Sequence, residues 1–185
     1  MKIIKARFAG ATALAVAVGI AGTAVPTADA QRYNVPKPVT IKAVAKGKKL
    51  KFTGPSKVQR NAKLTIVNTT KTKKYGPHTF TLAKPSAIPS SKAEWKECED
   101  LAFPLCANVA KAHKVDVEGN FDIRKPDVDV GKKGWDKSFG KKGDTYFSFD
   151  KGDDETRKVT AKVGTKLTFV CIVHPKMDKT LKVVK

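Results

Sequence analysis

The chain is expected to be an all-β protein, a sandwich of short strands carrying a helical, disulfide-containing insertion. Three observations carry this expectation. Short runs of alternating apolar and polar residues recur in both halves of the chain. Gly, Pro, Asn and Asp punctuate them as turns. Between the two sets of runs, residues 84–144 differ in character, with a helix-start signal, two close cysteines and a Lys/Gly/Asp-rich tail.

Residues 1–30 read as a signal peptide rather than as part of the fold. Lys2, Lys5 and Arg7 precede an Ala/Val/Gly-rich apolar stretch, Phe8 to Val25, and Ala28-Asp29-Ala30 fits the small-x-small cleavage rule. The mature chain is expected to begin at Gln31, as one exported domain spanning 31–185. Its first strands are Thr40-Ile-Lys-Ala-Val-Ala, Lys49-Leu-Lys-Phe-Thr, Ala62-Lys-Leu-Thr-Ile-Val-Asn68 and Thr79-Phe-Thr-Leu, with a polar loop from Thr69 to Pro77 before the last. Ser91-Lys-Ala-Glu94 is a capping box that should open a helix over Ala93 to Leu101. Pro104 ends it, and a further turn or two follows from Cys106 to Lys114. The stretch through Gly131, Gly134, Gly140 and Gly143 reads as turns and loop. Strands resume at Asp144-Thr-Tyr-Phe-Ser-Phe149. After an acidic turn, Asp150 to Glu155, come Arg157 to Val163, Lys166 to Val170 and Thr180 to Val184.

Three cysteines in an exported chain leave one over. Cys98 and Cys106, eight positions apart, are the natural disulfide pair in an oxidising compartment. Cys171 is then the odd thiol. A buried, inert cysteine is the plain alternative for it, and zinc held by all three cysteines is weakened by the lack of any Cys-x-x-Cys pair.

What favours metal is the company Cys171 keeps. The sequence runs Cys171-Ile-Val-His174-Pro-Lys-Met177, and a second histidine lies upstream in Gly76-Pro77-His78-Thr79-Phe80. The whole chain has only three His, three Cys and two Met. One thiolate, two imidazoles and a weak thioether suit copper in both oxidation states, since soft sulfur satisfies Cu(I) and nitrogen satisfies Cu(II). The third histidine, His113, reads as a surface helix residue rather than a ligand.

The segment from Lys162 to Val183 resembles the C-terminal strand, ligand loop and final strand of the cupredoxins. Its Cys-x-x-His-x-x-Met spacing is similar to the short loop of the amicyanins, whereas the plastocyanins have a longer gap before Met. Leu64 to Asn68 and Gly76 to Phe80 resemble the same family's first-histidine region. The resemblance covers roughly Pro38–Leu82 and Thr145–Lys185 and leaves residues 84–144 unmatched. It implies a Greek-key sandwich binding one copper ion through His78, Cys171, His174 and Met177. It also implies that the ring edge of His174 reaches the surface.

Charge bounds the partners. Without residues 1–30 the chain keeps 34 of its 37 Lys/Arg and 16 of its 17 Asp/Glu, a formal +18. The basic residues are mostly single lysines and no aromatic-basic motif accompanies them, so no nucleic-acid partner is expected. The leading expectation is a monomeric exported electron carrier, not an enzyme. Ile172, Val173, Pro175 and Pro77 would form a dry docking patch, and Lys176 with its lysine neighbours would steer an acidic redox partner. Peripheral association with anionic surfaces fits the same charge. The alternative is a protein that binds copper outside the cytoplasm and delivers it to an acceptor without shuttling electrons.

Overall fold

The computed structural model describes residues 35–116, 122, 126–129 and 133–185, so the expected signal peptide lies outside the described residues. Among the described residues ten strands make two sheets. They are β1 (Val39–Lys46), β2 (Lys49–Thr53), β3 (Lys57–Gln59), β4 (Lys63–Asn68), β5 (His78–Ala83), β6 (Asp127–Val128), β7 (Thr145–Ser148), β8 (Asp154–Lys158), β9 (Lys166–Val170) and β10 (Asp178–Val184). One sheet has the order β2-β1-β4-β8 and the other β3-β10-β9-β5-β7-β6. Most neighbours are antiparallel, but β1 runs parallel to β4, and β3 parallel to β10.

The alternation in each strand decides what the sheets bury. Ile41, Ala43, Phe52, Leu64 and Ile66 point inward from the first sheet. They meet Phe80, Leu82, Phe169, Leu181 and Val183 of the second in one core. Phe52 stacks on Phe80 at 4.6 Å between centroids. The fold class is therefore the expected one, a β-sandwich with a helical, disulfide-stapled insertion.

The insertion forms a third layer. Helix α2 (Lys92–Glu99) starts at Ser91, and both halves of its capping box are present. Helix α3 (Pro104–Ala112) starts with Pro104 in its first turn, where a missing N–H costs nothing. Cys98 and Cys106 join the two. Trp95, Leu105 and Val109 pack with Phe139 on Ala83, Val170 and Ile172, which belong to the outer face of the second sheet and its ligand loop. One disulfide sulfur, on Cys98, lies 3.6 Å from the carbonyl oxygen of Ile172. Replacing both cysteines with alanine is expected to cost about 2.5 kcal/mol in the chain-entropy model. Thermal unfolding should show it as a Tm lower by about 5–10 °C.

Three local expectations need correction. The strand placed at Arg157 to Val163 is instead β8, starting at Asp154. Its half-buried Arg157 pairs with Glu155 and with Asp127, so the charges neutralise one another at the sheet edge and strand pairing with β4 extends into the acidic turn. The loop from Thr69 to Pro77 contains a one-turn helix, α1 (Thr72–Tyr75). His113 is buried rather than on the surface, with Nε2 3.1 Å from Thr145 Oγ1.

Candidate metal centre

Four elements deliver the expected donors to one end of the sandwich. His78 is the first residue of β5, and Cys171 follows the last residue of β9. Met177 directly precedes β10. The loop between β9 and β10 is closed at its base, where the Cys171 N–H donates to the Met177 carbonyl at 2.9 Å. Within the loop the Met177 N–H donates to the His174 carbonyl at 3.4 Å, and Lys176 takes a left-handed φ of 61°. Paired strands thus hold both ends of a six-residue step from Cys171 to Met177.

The donor atoms converge. Cys171 Sγ lies 3.5 Å from His174 Nδ1 and 3.9 Å from His78 Nδ1. Ligand atoms of His78, Cys171 and His174 all fall within 4.8 Å of one another. The two rings sit 4.7 Å apart between centroids. His78, Cys171 and Met177 have no solvent exposure, and Met177 shares the inter-sheet core with Cys171.

Neighbouring groups set which ring nitrogen is free. The Thr70 N–H donates to Asn68 Oδ1 at 2.9 Å, so that atom is an acceptor. The Thr70 hydroxyl also donates to it, at 2.8 Å. The hydroxyl oxygen, 2.7 Å from His78 Nε2, can then only accept, which places the proton on Nε2 and leaves the Nδ1 lone pair facing Cys171. At His174 a backbone carbonyl does the same work. Nε2–H donates to the Tyr75 carbonyl at 2.6 Å, and Nδ1 is again the free nitrogen.

Electrostatics completes the fit to a soft cation. Burial, then the charge of His174, pulls His78 down to about 4. Burial also lowers His174, against the opposing pull of the Tyr75 carbonyl. Both rings are therefore neutral ligands at pH 7. Burial pushes the Cys171 thiol up, opposed by backbone N–H groups of Thr79, Val173 and His174 that are directed at the sulfur. The Thr79 N–H is 3.4 Å from Sγ, and the Thr79 hydroxyl accepts the Ile172 N–H at 2.9 Å, tying β5 to the ligand loop. Without a metal the thiol stays protonated. A bound cation would ionise it, and the N–H groups already in place would share the charge.

The ligand set is cupredoxin-like. Two imidazole nitrogens, a thiolate and a thioether compose the donor set of a type 1 copper site. No family model and no curated protein matches the chain. Among solved structures it is similar to auracyanin B, at 13% identity over 82% of this chain and 91% of that one, with a TM-score of 0.42. It is also similar to a dithionite-reduced auracyanin from Roseiflexus castenholzii, at 16% identity, 79% and 97% coverage and a TM-score of 0.37. A third is auracyanin A, described as a blue copper protein of Chloroflexus aurantiacus, at 16% identity, 79% and 98% coverage and 0.36. At this level of similarity the cupredoxin-like site is read from this chain's own residues.

One expected feature of the site, the place of Ile172, is corrected, and the surroundings of His174 are more specific than expected. His174 is half-buried: its Nε2 meets the Tyr75 carbonyl and Gly76 lies beside the ring, where a Cβ would be 3.8 Å from Nε2. Ile172 is not part of an outward patch, because it is buried under the insertion. His113 lies outside the ligand cluster. Sequence reading missed Asn68 and Thr70, which fix the His78 tautomer, and Tyr75, which fixes that of His174. A Thr70→Val substitution should leave the His78 N–H without a partner and lower metal affinity by about 10–100-fold. Metal titration with a competing chelator would measure this, and Thr70→Ser should recover most of the loss.

Proposed function

We propose that this protein is an exported mononuclear type 1 copper protein that carries single electrons. The observation that carries the reading is the buried convergence of Cys171 Sγ with two histidine nitrogens, each held with its lone pair toward the sulfur. His78, Cys171, His174 and Met177 would hold the ion. Copper bound there would supply reversible one-electron chemistry between Cu(I) and Cu(II).

The protein's own part is to keep the donors still and dry. Thr70 and the Tyr75 carbonyl hold the rings, and the Cys171–Met177 backbone bond holds the loop. Thr79 holds the thiol from one side while β9 and β10 fix it from behind. Donors positioned in advance need little movement when charge changes, which favours rapid transfer. His78, Cys171 and Met177 have no solvent exposure, which supports a carrier over an enzyme, since a substrate would need an open coordination position. Among the described residues no helix is long and apolar enough to cross a membrane. Export rests on the N-terminal sequence, and mass spectrometry of the secreted protein would locate the mature N-terminus near Gln31.

The test is Cu(II) titration of the purified chain. One equivalent should produce an intense blue absorption and an EPR signal with compressed copper hyperfine splitting. Reduction and reoxidation should be reversible and transfer one electron. A colourless adduct or an irreversible reduction would overturn the reading.

A further inference from the structure

The cap over His174 is part of a larger surface with one sign of charge. From Val35 to Ala93 the chain contains thirteen lysines and Arg60 but no Asp or Glu. The fold gathers six of these lysines around Tyr75, the residue whose carbonyl caps the imidazole. Lys71, the N-cap of α1, and Lys73 and Lys74 within it are exposed on the turn that ends at Tyr75. Lys46, Lys48 and Lys49 are exposed at the turn between β1 and β2. The Tyr75 hydroxyl donates to the Gly47 carbonyl at 3.3 Å, so the two lysine groups meet at Tyr75. The Lys74 ammonium lies 5.1 Å from the centre of the Tyr75 ring. Among the described residues none of the six is in an ion pair.

Six unpaired like charges on two adjoining turns repel one another, and nothing in the sandwich core requires them there. Protection of a sheet edge explains lysines on an edge strand, but not the three on α1. The acidic turn Asp150 to Glu155 meets α1 at Thr72, whose hydroxyl donates to the Phe149 carbonyl just before it. The Asp153 carboxylate there is taken up by the N–H groups of Phe149 and Asp150. Phe149 itself is 44% exposed, an apolar contact at the margin of the lysine rim.

We propose that this rim is the docking surface for a one-electron redox protein with an acidic face, and that electrons cross at the Tyr75–Gly76 cap of His174. This rests on the carrier function proposed above. The step moves one electron and no atoms: what the partner gains, this protein loses, and the reverse holds when it is reduced. The committed partner is acidic by charge complementarity, because a basic partner would be repelled by the six lysines that surround this approach to the imidazole.

The probe is ferricyanide, a small anionic oxidant, mixed with the reduced copper-loaded protein by stopped flow. Two triple variants carry the same change in charge. Lys48→Glu/Lys73→Glu/Lys74→Glu alters the rim. Lys63→Glu/Lys158→Glu/Lys162→Glu alters exposed lysines at the opposite end of β4, β8 and β9. At low ionic strength the rim variant should react at least about tenfold more slowly than wild type, and the distal variant less than about threefold. The gap should close near 1 M salt, where the screening length is about 3 Å. With the cationic oxidant cobalt(III) tris(phenanthroline), the rim variant should instead react faster than wild type. Lys→Gln at the same positions should give the same order with smaller factors. Equal slowing of the two glutamate variants, or none in the rim variant, overturns the docking surface while leaving the carrier function standing. A wild-type protein without a blue, reversibly reducible site overturns both.

Discussion

Cys171→Ser is expected to abolish the blue absorption completely and to weaken copper binding by orders of magnitude. The sulfur is the donor that both copper states need, and the intense colour of such sites comes from a copper–thiolate bond. Serine keeps the volume and the backbone bond to Met177 but presents a hard oxygen whose proton is not displaced at neutral pH. The wild-type thiol is different. Burial raises its ionisation above the ordinary range, so it is protonated at pH 7, and binding must expel one proton. The rings do not compete for that proton, because His78 is pulled down to about 4 and His174 is also lowered. Copper affinity should therefore rise about tenfold per pH unit through the neutral range in wild type, and much less in the serine variant. Calorimetry in buffers of different ionisation enthalpy counts the proton directly. A blue colour in the Cys171→Ser variant, or wild-type binding with no proton released, would remove the thiolate from the site. The lowered histidines also bear on metal-free stability. A folded-state value below the unfolded 6.5 means that stability is intact above pH 6.5 and is lost as pH falls through about 4.

How far the sequence reached depended on how locally each feature is encoded. Cys171, His174 and Met177 are legible because their spacing is local and their residue types are scarce. His78 is legible because so few histidines exist to pair with them. The strands were legible wherever one face is buried and the other wet, as in Lys63–Asn68. Thr70 and Asn68 carry no such mark, since Thr and Asn are ordinary in polar loops and their role appears only when β5 brings His78 back beside them. The cap on His174 is a carbonyl, and any residue at position 75 could have supplied it. The misplaced start of β8 has a similar origin: Asp154 and Glu155 look like turn residues until Arg157 and the pairing partner β4 are in place. Lysines spaced along the sequence did not reveal their clustering, which depends on the Tyr75–Gly47 contact between two distant turns.

Gly134→Ala should be the most damaging single methyl in the described chain. Position 134 falls in a Lys/Gly-rich stretch that reads as exposed loop, yet Gly134 is buried with φ at 82°, and Trp135 beside it has no solvent exposure. The Trp135 N–H donates to the Lys158 carbonyl at 2.8 Å, and the Thr160 N–H donates back to the Trp135 carbonyl at 3.1 Å. A Cβ at position 134 would lie 2.2 Å from that same Lys158 carbonyl oxygen and 3.1 Å from its carbon. Neither is the tip of a flexible side chain, so the backbone must separate, and the separation unseats Trp135. That indole is one of the largest fully buried side chains and meets Phe169 edge-on at 5.0 Å, two residues before Cys171. The left-handed φ adds its own strain for any residue with a Cβ. The cost should approach that of deleting a buried tryptophan, about 3–5 kcal/mol. Gly140→Ala supplies the control, because nothing lies within 4 Å of a Cβ there. It should change stability by less than about 0.5 kcal/mol. Urea unfolding of the two variants separates the explanations: if Gly134→Ala unfolds at the wild-type midpoint, the close approach to Lys158 is not what holds Trp135, and through Phe169 the base of the metal loop, in place.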